Sequence, residues 1–278
     1  MKWFFALNES GKDFSNYVNL TKVAVHTALR RTSLEPHFIY DGGDNELTEW
    51  LRKRNVRIIK SRSFIFEELR AEAARRNNEG YWHIGAGAFL RLEIPEICLK
   101  LNFTDQIALY TDVDVMFKSD VTVSLGRIKP KFFAVAPEFF KNDYNGINTG
   151  VMLMNLSGLQ AANGKFKLYV KRNLSEFIDD AFDQGACKAY YKRNRLIRKI
   201  IGNKWDKLPI EYNWKPYWGD SEDAKIIHFH GPKPYQTELL RSNKVPEHLK
   251  YLIPLLTDSY FEYEREWRQH LSEANSEN

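Results

Sequence analysis

Gln106-Ile-Ala-Leu-Tyr-Thr-Asp-Val-Asp-Val-Met-Phe117 decides how the rest of the chain is read. Gln106–Tyr110 is apolar enough for a buried strand, and an apolar run resumes after two aspartates spaced i, i+2. Extended backbone at that point sends Asp112 and Asp114 to one side and Val113 to the other. Two carboxylates at the end of a core strand cost several kcal/mol if left unpaired. A hard divalent cation would remove that cost and keep coordination positions open for phosphate oxygens. The remaining sequence is therefore searched for the other parts of a metal–phosphate site.

The chain has 278 residues, 43% hydrophobic and 28% charged, with a net charge of +5. That length suits one large domain, and the composition is that of an ordinary globular protein. The mild positive charge suits anionic small molecules as well as nucleic acid or an anionic surface. Cys98 and Cys187 lie far apart in apolar or helical surroundings and are expected to be free thiols in a reducing compartment. The apolar start Lys2–Leu7 is too short for a signal peptide, and no run approaches the length of a bilayer span. A cytoplasmic location is expected.

Upstream of the aspartates the pattern is β-α-β-α-β. Strands are expected at Lys2–Leu7, His37–Tyr40 and Val56–Lys60, and helices at Ser15–Arg31, with Ser15 as N-cap, and Glu46–Arg54. This is the pattern of a parallel sheet with helices on its faces. No Gly-x-Gly-x-x-Gly or Gly-x-x-x-x-Gly-Lys-Ser/Thr occurs, so dinucleotide and P-loop fingerprints are absent. Helices follow at Phe64–Arg76 and from Gly85 to a stop near Pro95. Phe132–Ala136, Gly150–Leu156 and Ala224–His230 read as strands. Asp183–Ile201 reads as a basic helix, a solvated face or a surface for an anionic acceptor or membrane. Beyond residue 240 the chain is helical and charged, with a disordered tail expected at Glu273–Asn278.

Four further groups carry chemistry. His228-Phe-His-Gly-Pro-Lys-Pro234 sets an imidazole, a glycine and a lysine in one proline-braced loop, a combination suited to a metal and an anion. Asn145–Gly150 reads as a turn, with Asn148 able to hydrogen-bond a polyhydroxylated ligand. Asp183 and Gln184 open a helix, Asp183 as an N-cap or both as sugar contacts. Arg91, within Phe89-Leu-Arg-Leu, is either a surface residue or a buried one in need of an anionic partner. Trp205, Trp214 and Trp218 are either core or a stacking wall for an acceptor sugar.

In this order, Phe89-Leu-Arg-Leu-Glu-Ile-Pro95, Tyr110-Thr-Asp-Val-Asp114, Ile147-Asn-Thr-Gly-Val-Met-Leu-Met-Asn155, Phe182-Asp-Gln184 and His228-Phe-His-Gly-Pro-Lys-Pro234 resemble the retaining GT-A glycosyltransferases of family 8, the group of glycogenin and lipopolysaccharide galactosyl- and glucosyltransferases. The resemblance runs from residue 1 to about 240. It implies a single Rossmann-like α/β domain of GT-A fold over residues 1–240, with a mainly parallel central sheet, and a helical extension and tail over 241–278. It implies Mn²⁺ (or Mg²⁺) on Asp112, Asp114 and His228, and a UDP-sugar donor. Gly231 and Lys233 would contact the diphosphate, Leu7 and Asn8 the base, and Thr111 and Val113 the nucleotide. Arg91, Asn148, Asp183 and Gln184 would surround the sugar. The acceptor would be a glycan, glycolipid or other hydroxyl compound, with no nucleic acid partner. The chain departs from the family at Tyr235, where Trp is common, and at Asn8-Glu9, where many members carry an aspartate near the base.

Asp183 is the one acidic candidate for a nucleophile in a double displacement, with Gln184 weaker, so front-side attack with retention is expected. Two other readings compete. Asp112-Val-Asp-Val115 also resembles a haloacid-dehalogenase-type phosphatase with Asp112 as nucleophile and Asp179-Asp180 as its later acidic pair. A non-catalytic nucleotide-binding module is the third.

Overall fold

The computed structural model describes residues 1–278 except Lys12, Arg195, Arg198, Lys199, Ile200, Ile201, Asn243 and Asn278. Strands β1 (Lys2–Asn8), β2 (Glu35–Asp41), β3 (Arg57–Lys60), β4 (Ile107–Thr111), β5 (Val115–Phe117), β6 (Phe133–Pro137), β7 (Ile147–Asn155), β8 (Asp206–Lys207) and β9 (Ile226–His228) are present. Seven of them form one sheet in the order β3-β2-β1-β4-β7-β6-β8, and β5 pairs with β9 in a second. β3, β2, β1 and β4 run parallel to one another. β7 enters antiparallel between β4 and β6, and β8 joins β6 in parallel.

This order explains where a site can form. β1, β4 and β6 end at one edge of the sheet, and the reversal of β7 brings its beginning to that same edge. Thr111 pairs with Val151 there, and Pro137 pairs with Ile147. The carboxyl edge of an α/β sheet is where its ligands bind. β7 carries a bulge: Val135 faces Met152 but Ala136 faces Asn148, so Thr149–Val151 fall within one step of the partner strand. Bulges turn side chains out of the pleat. Asn148–Gly150 thus belong to a strand whose register is broken at the edge, not to the turn before it.

Both faces of the sheet are covered. One core joins β1, β2 and β4 to helix α1 (Phe14–Arg31) and the β5–β9 pair. The other joins the opposite face to α7 (Leu156–Arg172), α8 (Leu174–Asp179) and α9 (Asp183–Tyr191). α2 (Glu46–Arg52) joins β2 to β3, and between β3 and β4 lie α3 (Phe66–Arg75), α4 (Gly80–Ala88), the 3₁₀ helix Phe89–Glu93 and α5 (Ile94–Lys100).

Several expectations are corrected. Pro95 opens α5 instead of ending a helix, because a proline in the first turn gives up an N–H that has no partner anyway. The N-cap of α1 is Asp13, not Ser15. Helix α9 stops at Tyr191, where Lys192 turns extended, so Asp183–Ile201 is not one basic helix. Lys188 is the one basic residue that α9 holds. Arg195, Arg198 and Lys199 lie outside the described residues. The membrane contact expected through that helix therefore loses its continuous basic face. After α6 (Thr122–Gly126) and α10 (Thr237–Arg241) comes α11 (Asp258–Ser276), which takes in Glu273–Ser276 of the tail expected to be disordered; Asn278 lies outside the described residues. Tyr260, Tyr263, Trp267 and Ala274 of α11 are buried in the first core. Their spacing is that of one helical face. Among the described residues, no helix is long and apolar enough to cross a membrane.

Candidate metal and sugar site

β4 ends at Thr111, the chain bends over Asp112–Asp114, and β5 resumes at Val115. Val113 turns into the core. One oxygen or nitrogen each of Asp112, Asp114 and His228 come within 4.8 Å of one another. His228 arrives because β9 pairs with β5 directly opposite Val115.

The direction of the lone pairs matters more than the distances. Asp112 Oδ1 accepts from the Tyr110 hydroxyl at 2.8 Å and from Arg91 Nη2 at 2.9 Å. That leaves Oδ2, 4.0 Å from His228 Nε2. Asp114 Oδ2 accepts from Lys233 Nζ, but its Oδ1 is buried without a hydrogen-bond partner. This Oδ1 stands 3.3 Å from His228 Nε2. The other ring nitrogen, Nδ1, is 2.9 Å from Asn213 Oδ1. With the ring hydrogen on Nδ1, Nε2 offers a lone pair to the same point as the two free carboxylate oxygens. A buried acceptor without a donor is costly, and a divalent cation is the group this donor set fits. Gly150 keeps the space open: a Cβ there would lie 2.2 Å from His228 Cε1 and 2.8 Å from Asp112 Oδ2.

Burial pushes the Asp114 carboxyl up, but the Lys233 ammonium outweighs it and holds it well below the ordinary range. Lys233 also donates to Phe229 O at 2.7 Å, so in this state it sits on the carboxylate. Gly231, with φ +95°, makes the turn that brings Lys233 in.

Arg91 is buried, in the 3₁₀ helix Phe89–Glu93 and not on a polar surface. Its Nε is 2.9 Å from Asp183 Oδ2, its Nη1 donates to Thr149 O at 2.6 Å, and its Nη2 meets Asp112. Burial pulls its pKa down, yet the Asp112 and Asp183 charges more than reverse this. Asp183 is 2% exposed. Burial pushes its carboxyl up to about 6, against the opposing pull of Arg91. It is the first residue of α9 and not its cap; the cap position is Phe182, at φ 54° and ψ −119°. A non-glycine residue there is strained, as at many functional sites.

The other expected residues divide. Asn148 and Gln184 meet at 3.3 Å beside the Asp112–Asp114–His228 cluster, but their amides are directed at protein groups. Asn8 lies at the end of β1, donating to Ser10 Oγ at 2.6 Å and His83 O at 3.1 Å. Leu7 and Val113 are core residues, and the Thr111 hydroxyl accepts from Trp3 Nε1 at 3.0 Å. Their side chains do not line the site. Trp205 and Trp214 are buried in different cores, so the three tryptophans form no shared wall. Residues not singled out from the sequence complete the site: Asn213 behind His228, Glu138 on Gln184 Nε2 at 2.8 Å, and Lys215, whose buried Nζ donates to Pro137 O and Asn213 O at 2.9 Å each. Glu138 lies in one segment and Asn213 with Lys215 in another, and neither segment carries a local signal.

No protein-family model and no curated protein matches the chain. Solved structures do. The chain is similar to the glycosyltransferase GlyE of Streptococcus pneumoniae TIGR4, with 16% identity, a TM-score of 0.57, and coverage of 98% of this chain and 63% of that one. It thus spans somewhat less than two thirds of GlyE. It is similar to the galactosyltransferase LgtC in complex with donor and acceptor sugar analogues, with 17% identity, a TM-score of 0.60, and coverage of 97% and 100%. Mouse xyloside xylosyltransferase 1 matches at 14% identity and a TM-score of 0.54, over 82% of this chain and 97% of that one. At these identities the likeness establishes the fold: an α/β chain with a mainly parallel central sheet, matching the GT-A glycosyltransferase structures.

Proposed function

We propose that the chain is a metal-dependent hexosyltransferase of the family 8 type. It would move glucose or galactose from a UDP-sugar to a hydroxyl of a glycan, glycolipid or similar acceptor, with retention at the anomeric carbon. The observation that carries this reading is the bare, buried Asp114 Oδ1 facing His228 Nε2 at 3.3 Å beside Asp112. The fold puts that point at the sheet edge where such ligands bind. Mn²⁺ or Mg²⁺ on Asp112, Asp114 and His228 would act as a Lewis acid on the diphosphate leaving group.

The chain's own residues would do the rest. Lys233, now on Asp114, is within reach of the same point and can neutralise phosphate charge. Gly231 lets the loop backbone approach the diphosphate. Asn8 lies at the end of the first strand, where the base would sit, and Leu7 beneath it. Thr111 and Val113 would contribute main chain only. Arg91 holds Asp112 and Asp183 in place, and Asn148 and Gln184 stand where the sugar would lie. Front-side attack is favoured over double displacement because Asp183, the candidate nucleophile, is enclosed and bound by Arg91.

A panel of nucleotide sugars with and without Mn²⁺, scored by nucleoside diphosphate release, tests this. UDP release from UDP-glucose or UDP-galactose only with metal is expected. Phosphate release from a generic aryl phosphate would favour a phosphatase acting through Asp112. Binding of nucleotide without turnover would leave a non-catalytic module. Proton NMR of the early product would overturn retention if it showed an inverted linkage.

A further inference from the structure

We infer that a one-way chain of side-chain amides, running from Glu138 to Asn213, fixes the tautomer of His228, which makes Asn213 a positioning residue for the metal ligand. The inference rests on the metal reading above.

Backbone N–H groups can only donate, so they identify the oxygen ends of two amides. Thr149 N donates to Gln184 Oε1 at 3.0 Å, and Gly150 N donates to Asn148 Oδ1 at 3.2 Å. Gln184 must then turn its NH₂ to the Glu138 carboxylate, 2.8 Å away. Asn148 must turn its NH₂ to Gln184 Oε1, at 3.3 Å. Asn148 Oδ1 is an acceptor, so the group facing it at 3.0 Å is the Asn213 NH₂. What remains of Asn213 is its oxygen, 2.9 Å from His228 Nδ1. An oxygen there requires the hydrogen on Nδ1, and a neutral ring then keeps its lone pair on Nε2. Every donor in the series points from His228 toward Glu138.

Burial makes the arrangement binding on all its members. Asn213 is fully enclosed and Asn148 and His228 nearly so, so a flipped amide would oppose oxygen to oxygen with no water to relieve it. The Asn213 backbone is itself tied to the end of β6, because Lys215 Nζ donates to both Asn213 O and Pro137 O. A metal-ligating histidine is ordinarily oriented through its other ring nitrogen, and loss of such a partner costs about 10- to 100-fold in metal affinity. Here that partner is an amide, and the same chain contains Asn148 and Gln184. The orientation of the metal ligand and that of the two sugar-side amides are thereby one structural unit.

The test reads the tautomer directly. Nitrogen-15 NMR of the His228 ring in the metal-free protein is expected to show hydrogen on Nδ1. Asn213→Leu should abolish that preference and weaken Mn²⁺ binding, followed by electron paramagnetic resonance, by about tenfold or more. Asn213→Asp keeps an acceptor for Nδ1–H and should restore the tautomer, while the oxygen it sets against Asn148 Oδ1 should keep Mn²⁺ affinity from full recovery. A His228 ring carrying its hydrogen on Nε2 in the parent would overturn the inference, and so would a folded Asn213→Leu protein with parental Mn²⁺ affinity. If Asn213→Leu does not fold, the parent's tautomer still decides. Because it is read without metal or substrate, it fails separately from the transferase reading, which the nucleotide-sugar panel tests.

Discussion

Among the described residues, two clusters have the residue types and spacing of a metal site: Asp112, Asp114 and His228, and, between α1 and α11, His26, His270 and Glu273. In both, the candidate atoms lie within 4.8 Å of one another. Their hydrogens tell them apart. In the second cluster Glu273 Oε2 lies 2.9 Å from Arg30 Nη1, 3.1 Å from His26 Nε2 and 3.2 Å from His270 Nδ1. Arg31 Nη2 stands 3.1 Å from His270 Nε2. A guanidinium only donates, so Nε2 must accept and the His270 hydrogen sits on Nδ1, the nitrogen that faces Glu273. The would-be ligand has no lone pair to give. In the first cluster Asn213 does the reverse and frees Nε2. Donor types and distances make a candidate; the protonation pattern imposed by neighbours makes a metal site or a clasp between helices.

The comparison breaks most easily at the first cluster. Asp114→Asn should lower metal-dependent turnover on the order of 10³-fold and remove Mn²⁺ binding, measured by release of nucleoside diphosphate and by paramagnetic resonance. Near-normal Mn²⁺ affinity would mean that the bare Oδ1 is not a ligand. Next in size, Gly150→Ala places a methyl against His228 and Asp112. Overpacking of this kind costs about 1–3 kcal/mol, and the displaced imidazole should raise the Mn²⁺ dissociation constant about tenfold. An unchanged constant would show that the space is not needed. At the second cluster, His270→Ala should cost about 1 kcal/mol of stability by removing the ring that Arg31 Nη2 and Glu273 Oε2 share, with Mn²⁺ affinity unchanged. A metal-induced rise in melting temperature that survives Asp114→Asn but not His270→Ala would overturn the distinction.

The sequence revealed these sites unevenly. The meeting of Asp112, Asp114 and His228 was legible because both segments follow an apolar run, and in α/β chains such runs mark strands whose carboxyl ends gather at one edge. Arg91 was legible only as a choice between surface and core; two carboxylates from distant segments decide for the core. Asn213 was not legible. It sits in Glu211-Tyr-Asn-Trp214 with no local pattern, and its meaning comes from a ring fifteen residues on. The bulge in β7 was hidden too, since Asn-Thr-Gly serves a turn as well as a broken register. Glu273–Ser276 of the tail were misread from their charge. The burial of Tyr260, Tyr263, Trp267, His270 and Ala274 follows a helical stripe that the residue types themselves carry. The stretch after Tyr191 shows the opposite error, in which a run of like charge was taken for one continuous element.

His230 supplies the smallest effect and checks whether the wall beside the first cluster is as dry as its partnerless oxygen implies. Its ring stands 5.7 Å from that of His228, with Tyr217 Oη at 2.9 Å, Glu138 Oε1 at 3.6 Å and Phe139 edge-on at 5.1 Å. Burial, opposed by Glu138 and aided by the lysines nearby, lowers its pKa to about 4. In the unfolded chain the ring takes up a proton near pH 6.5. Between about pH 6.5 and 4 the unfolded state therefore binds more protons, and stability falls as pH falls. The ceiling for this one group is about 3 kcal/mol. His230→Gln should flatten the fall over that window and leave the curves parallel above pH 7, as read from urea denaturation at a series of pH values. Parallel curves throughout would mean that His230 protonates freely in the folded protein. Water would then reach the wall of the first cluster, and the bare Asp114 oxygen would lose part of its force as a sign of a missing cation.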